Sequence, residues 1–121
     1  MKNVTDFNQT LLQLLISLRE DSNQTIMKFL AIEIESEGVA GDQFKPHLRE
    51  ESIKVLELYE RGIIREIYFD QHHCAILILE CSTLVEAEAE LIKLPLVSNG
   101  LIHFKISELN PYTGFSRLLL Q

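Results

Sequence analysis

Residues 63–81, IIREIYFDQHHCAILILEC, read as two strands with a connection between them that is short enough only for a hairpin. The spacing predicts strands over Ile63–Phe69 and His73–Cys81, with Asp70-Gln71-His72 as the turn. Ala75-Ile76-Leu77-Ile78-Leu79 is apolar at every position, as in a central strand buried above and below. Both faces of the sheet that holds it are therefore expected to be covered.

Upstream, Lys28 to Glu35 alternates, with Leu30, Ile32 and Ile34 on one side and Phe29, Ala31, Glu33 and Glu35 on the other. Gly38 and Gly41 make the next loop permissive. Pro46 suits the first turn of a helix running to about Arg61, with Leu48, Val55, Leu56 and Tyr59 as its inner stripe. Gly62 stands where a left-handed C-cap belongs. Downstream, Thr83 and Glu86 form a capping box for a helix through Ala87 and Leu91 to Leu94, which Pro95 ends. Asn99-Gly100 turns the chain into a last strand, Leu101 to Leu109. Its even positions Ile102, Phe104 and Ile106 face the helices, and its odd positions carry His103, Lys105 and Ser107.

Strand, helix, strand, strand, helix, strand is the order of a ferredoxin-like α+β domain with a four-stranded antiparallel sheet. Two helices cover one face of such a sheet and leave the other to be closed by something else. The best candidate for that cover is a second copy of the chain.

Residues 4–19 read as an additional helix, with Asn3 or Thr5 near its N-cap. Val4, Phe7, Leu11, Leu14 and Leu18 form a coiled-coil-like seam, and Leu12, Leu15 and Ile16 widen it. Packing on its own domain and packing on a neighbouring subunit both fit this pattern. Asp21 to Gln24 is a polar linker, and Met27-Lys28 opens the first strand as an original start would. Residues 1–26 thus read as an extension and 27–121 as the domain with its tail. The tail ends in Leu118-Leu119-Leu120, which is expected to dock on the domain or on a partner.

The 121 residues suit one domain, with ~65% of the unfolded chain's surface available for burial. Apolar residues make up 46% and charged ones 24%, an ordinary globular balance. The net charge is −7, and no Lys/Arg cluster exceeds a pair, which argues against nucleic acid and against anionic membrane surfaces as partners. The longest apolar run, Ala75 to Leu79, is far short of a membrane span. Near the N-terminus, no small-residue cleavage site follows Leu11–Leu18, so a secretory signal is not expected. Cys74 and Cys81 fall on opposite faces of one predicted strand, roughly 23 Å apart, and cannot bridge each other. Reduced thiols and a cytoplasmic location are the plain expectation.

Glu51, Gly62 eleven positions on, Arg65, the hairpin, and a helix ending in Leu94-Pro95-Leu96 resemble the muconolactone isomerase family over roughly residues 28–115. The resemblance implies a dimeric α+β barrel in which two open sheet faces meet, with higher oligomers known. It also implies proton transfer on a small lactone without metal or cofactor. The chain departs from the family pattern at Glu66, where a His is expected, and at Tyr68, where a Trp is expected.

On the face away from the helices, Glu33 and His103 are candidates for the proton-transfer groups, with Lys105 steadying an enolate. A carboxylate and an imidazole in a partly dry cleft have pKa values moved toward neutrality. The bland alternative is a set of ion pairs at a subunit interface. Glu80 is a further candidate on this face.

Arg65 is a candidate anchor for a substrate carboxylate, because its planar donors grip both oxygens. Its phase leaves two possibilities open. Either Ile63, Ile67 and Phe69 face the core and Arg65 snorkels at the edge, or Ile64, Glu66 and Tyr68 face the helices and Arg65 looks into the cleft. Tyr112 is a candidate lid, with Phe115 beside it. Glu51 reads either as helix-dipole compensation or as a base.

His72 and Cys74 share a strand face and supply two ligands where zinc takes three or four, so no metal is expected. Oxygen or haem chemistry would need His103 deep in a pocket. Cys81 precedes a helix and reads as a core thiol. A non-catalytic assembly or small-molecule-binding module is the competing class.

Overall fold

A computed structural model describes residues 8–14 and 26–119. Between Met27 and Leu109 the chain forms β1 (Met27–Glu35), α1 (Leu48–Glu60), β2 (Ile64–Phe69), β3 (Ala75–Cys81), α2 (Leu84–Leu91), α3 (Pro95–Ser98) and β4 (Ile102–Leu109). The four strands make one antiparallel sheet in the order β2-β3-β1-β4. This is an α+β arrangement consistent with a ferredoxin-like fold.

The helices cover one face. Leu58 of α1, with Ala87 and Leu91 of α2 and the following Leu94, packs on Phe29 and Ala31 of β1 and on Leu77, Leu79 and Cys81 of β3. Phe29, Ile64, Leu77, Leu79 and Leu94 are essentially fully buried, each removing an apolar side chain from water at a gain of about 1.5–3 kcal/mol. A second apolar cluster, Leu96, Leu101 and Ile102 with Val39, Phe44 and Phe104 against it, closes one end of this layer.

Local chemistry sets the ends of the elements. Gly62 follows α1 at φ +77, where only glycine sits without strain. Its N–H donates to the Tyr59 carbonyl, and the Ile63 N–H donates to that of Leu58, the paired bonds of a Schellman ending. Thr83 Oγ1 accepts from the Glu86 N–H at 3.1 Å. The Glu86 carboxylate reaches back one residue further than a standard capping box and accepts from the Ser82 N–H.

Pro95 does not only end a helix. It stands in the first turn of α3, where its missing N–H is no loss, and α2 has already stopped at Leu91. Pro46 lies in a 3-10 turn, Lys45–His47, ahead of α1. The inner stripe of α1 also differs from the expected one. Val55 and Leu58 face the sheet, while Leu56 and Tyr59 are both more than half exposed. With Leu, Ile or Tyr on every side of this helix, periodicity alone does not select the buried side.

The hairpin turn is tighter than a simple link. The His73 N–H donates to the Asp70 carbonyl, and His73 takes φ 62, the left-handed conformation that usually calls for glycine. Asp70 Oδ1 accepts from the N–H groups of His72 and Cys74, at 2.8 and 2.9 Å. The His73 ring stacks on Phe69 with centroids 4.0 Å apart. This turn takes up His73 and Cys74, so β3 starts at Ala75 rather than at His73.

The chain divides into two compact units, Ile26–Leu109 and a unit of the terminal segments. In the latter, residues 8–14 are helical with Leu11 buried, and Gly114–Leu118 forms a 3-10 turn. Tyr112 meets Phe115 edge-on at 5.0 Å. Val4, Phe7, Leu18, the linker and Leu120 lie outside the described residues, so most of the predicted seam does too. Among the described residues no helix is long and apolar enough to cross a membrane.

Candidate functional site

Glu33 and His103 do not converge. Across the β1–β4 ladder Glu33 stands opposite Phe104, and Ile34 stands opposite His103. Phe104 packs with the helices, so Glu33 belongs to the helix side. His103 and Lys105 lie on the open face in register with Ile34 and Ile32. The expected grouping of Glu33 with His103 and Lys105 is therefore overturned. The alternation along β1 and β4 is the expected one, but the face that β1 turns to the helices is the opposite of the expected one.

The carboxylate whose charge bears on that of Glu33 across the helix side is Glu51. Glu33 Oε1 accepts from the Ala75 N–H at 3.1 Å, capping the start of β3 where the β1 ladder runs out. Glu51, one turn into α1, accepts from the Leu96 N–H at 2.9 Å and so caps the first turn of α3. Both carboxylates are half-buried, and burial raises the pKa of each above the usual carboxylate range. The backbone N–H that each accepts opposes that rise without cancelling it. The charge of Glu33 raises Glu51 further, while His47 pulls it down. Glu33 feels Glu35 and Asp70 as like charges and His73 as an opposing one.

The sequence leaves Glu51 open between helix-dipole compensation and a base, and its tertiary partner is 45 positions away. The signal that pointed to it was the spacing of Glu51, Gly62, Arg65 and the Leu94-Pro95-Leu96 element. No local pattern in the sequence marks its bond to the Leu96 N–H.

Arg65 is placed by a bulge. Ile64 pairs with Leu79 and Glu66 with Ile78, so β2 spends two steps where β3 takes one. Alternation is broken there, and Arg65 joins Glu66 on the open side instead of pointing opposite to it. Its Nε lies 3.2 Å from Glu80 Oε2, and Lys28 Nζ reaches Oε1 of the same carboxylate at 4.0 Å. Ile67 and Phe69 stand opposite Leu77 and Ala75 and thus share the helix side. Arg65 is on the other side of the sheet from Glu33, paired with a carboxylate. Tyr112 belongs to the terminal unit, packed on Phe115.

The open face has an apolar centre, formed by Leu30, Ile32 and Ile34 of β1 with Ile76 and Ile78 of β3. No helix of the Ile26–Leu109 unit covers it. Its margins are His103, Lys105 and Ser107 on β4, and Arg65, Glu66 and Tyr68 on β2. The Tyr68 hydroxyl donates to Glu66 at 2.7 Å, a bond that holds the phenol's proton and raises its pKa.

Other groups have structural surroundings. Cys81 is buried in the core, and its thiol is pushed up to about 11 by that burial, with Glu86 and Glu90 adding to it. A cleft of about 50 Å³ lies at Lys54, Arg61, Glu90 and Lys93, which gives room for water but not for a metabolite. Among the described residues no three His, Cys, Asp or Glu side chains group as metal ligands. The chain matches no protein-family model and no curated protein.

Proposed function

We propose that this protein performs cofactor-free proton transfer on a small lactone, in the manner of the muconolactone isomerase family that its sequence resembles. The observation that carries this reading is the carboxylate pair. Glu33 and Glu51 are half-buried on the helix side, each has one oxygen on a backbone N–H, and burial raises the pKa of both. A carboxylate whose pKa lies nearer neutrality is a better general base and acid than an exposed one. Perturbed carboxylates of this kind gather at functional sites.

In this reading Glu33 removes the proton next to the lactone carbonyl and returns it two carbons along. Glu51, protonated, donates to the enolate oxygen that forms in between. Two carboxylates in one place disfavour an anion, so the uncharged lactone portion of the substrate belongs beside them and any acidic group belongs toward His47. Arg65, His103 and Lys105 have no part in this step, because they occupy the other face.

Incubation in deuterium oxide with a panel of small enolisable lactones tests the reading. The expected result is deuterium at the carbon next to the carbonyl, abolished in Glu33→Gln, which keeps the acceptor oxygen but loses the base. Exchange that is absent, or is untouched in Glu33→Gln, overturns it.

A second reading is an oligomeric α+β barrel that assembles or binds ligand without catalysis. The open face favours it, since Leu30, Ile32, Ile34, Ile76 and Ile78 form a contiguous apolar patch that no helix of the Ile26–Leu109 unit covers. Two copies stacked face to face bury that patch, and this dimer is part of both readings.

A further inference from the structure

We propose that the open face selects its own pairing geometry through charge: in the dimer, Lys105 on β4 pairs with Glu66 on the β2 of the second copy, once on each side of a two-fold axis parallel to the strands. The inference rests on the face-to-face dimer proposed above.

Each margin of the face holds one charged side chain that has no ion-pair partner, and the two are of opposite sign. On β4, Lys105 is exposed and has no acidic partner among the described residues. On β2, Glu80 takes up Arg65, which leaves Glu66 with only the Tyr68 hydroxyl as partner. One margin thus presents a cation with no ion-pair partner and the other a carboxylate with none, among the described residues. The strand order β2-β3-β1-β4 puts them at opposite edges of the sheet.

Symmetry turns this polarity into a choice. A two-fold contact is self-complementary, so a residue pair made once is made twice. An axis parallel to the strands lays β4 over the partner's β2 and brings Lys105 toward Glu66. An axis across the strands lays β4 over β4 and sets Lys105 near its own copy. Like charges facing each other are a strong element against the wrong partner arrangement.

The register agrees with the first choice. Lys105 is opposite Ile32, Ile32 is opposite Ile76, and Ile76 is opposite Tyr68. Lys105 is therefore level with Tyr68 and two residues, ~7 Å, from the level of Glu66. Stacked sheets lie ~10 Å apart, a gap that a lysine stem and a glutamate span together. The face measures about 20 Å by 20 Å, four strands by six residues. Two copies then bury roughly 800 Å², below the ~1,200 Å² at which stable interfaces begin. A dimer held by so small an area depends on its margins.

The test is sedimentation of the full chain as wild type, Lys105→Glu, Glu66→Lys and the double exchange, over a range of concentration and salt. The wild type is expected to dimerise, more weakly at high salt. Each single exchange raises the dissociation constant ~10-fold or more, and the double exchange restores it to within ~3-fold. Both residues are exposed, so circular dichroism should show all four proteins folded alike. A dimer indifferent to both single exchanges overturns the pairing while leaving the dimer itself standing. A wild type that stays monomeric at every concentration overturns the dimer and this pairing with it.

Discussion

Arg61 holds Glu90 with both arms of its guanidinium: Nη1 donates to Oε2 and Nη2 to Oε1, each at 3.0 Å. The pair joins the end of α1 to the last turn of α2, through residues 29 apart in sequence. Glu90 is the one buried charged side chain of the described core, and Lys93 adds a second cation at 3.6 Å. Arg61 also sits at the α1 C-terminus, where a positive charge meets the negative end of the helix dipole.

Glu90→Gln should therefore destabilise the fold by about 2 kcal/mol, the usual size of a charge-assisted bond lost at a buried site. The bonds from Arg61 hold the Glu90 pKa below the usual carboxylate range. A lowered folded pKa contributes stability that is complete above the unfolded value and disappears as pH falls through the folded one. Urea melts should show a gap between wild type and variant at pH 7 that closes in strong acid. A gap that persists there would mean that packing, not charge, sets the difference.

Glu33 and Glu51 have the opposite sign. Burial raises both folded pKa values, so their contribution to stability is greatest below the unfolded carboxylate value and is lost as pH rises through the folded values. Glu33→Gln and Glu51→Gln keep an oxygen for the Ala75 and Leu96 N–H groups while removing the charge. Their melting temperatures at pH 7 should equal or exceed that of the wild type, with a flatter profile from pH 4 to 8. Glu51→Ala, which leaves the N–H of buried Leu96 unpaired, should instead cost ~1–2 kcal/mol. A Gln variant as unstable as the Ala one would refute this account of the charge.

His73 holds a left-handed backbone at the hairpin and stacks on Phe69. His73→Ala and His73→Gly both lose the stack, but only Ala keeps the backbone strain. The Gly variant should be more stable than the Ala variant by about 1 kcal/mol, measured by thermal or denaturant unfolding. Equal stabilities would show that the turn relaxes to another conformation.

The two thiols should differ in reactivity. Cys81 is buried and pushed up to about 11, whereas Cys74 is partly exposed, with a pKa raised by desolvation. Titration with a disulfide reagent at pH 8 should modify one thiol slowly in the native protein and two after denaturation. Modification of Cys81 without unfolding would mean that the core opens locally around it.

Much of the architecture was legible in the residues. Alternation and helical spacing are local properties, so Ala75–Leu79, the Lys28–Glu35 strand and the even positions of β4 identified themselves. Gly62 and Thr83 marked their helix ends because capping acts within a few residues. The turn at His73 was legible only in part, since nothing in the sequence shows an imidazole in a left-handed conformation. The stripe of α1 was misread because that helix is apolar on more than one side.

For β1 and β4, sequence alone settled which residues share a strand face, because side chains alternate along an unbroken strand. Only the tertiary structure decided which of the two faces met the helices, and with it that Glu33 lies on the helix side, away from His103. It also decided the bulge that turns Arg65 to Glu80, since a broken alternation comes from the fit of β2 to β3 and not from β2 itself. Pairings such as Glu51 with Leu96 form across long stretches of chain, and they exist only once packing has brought their elements together.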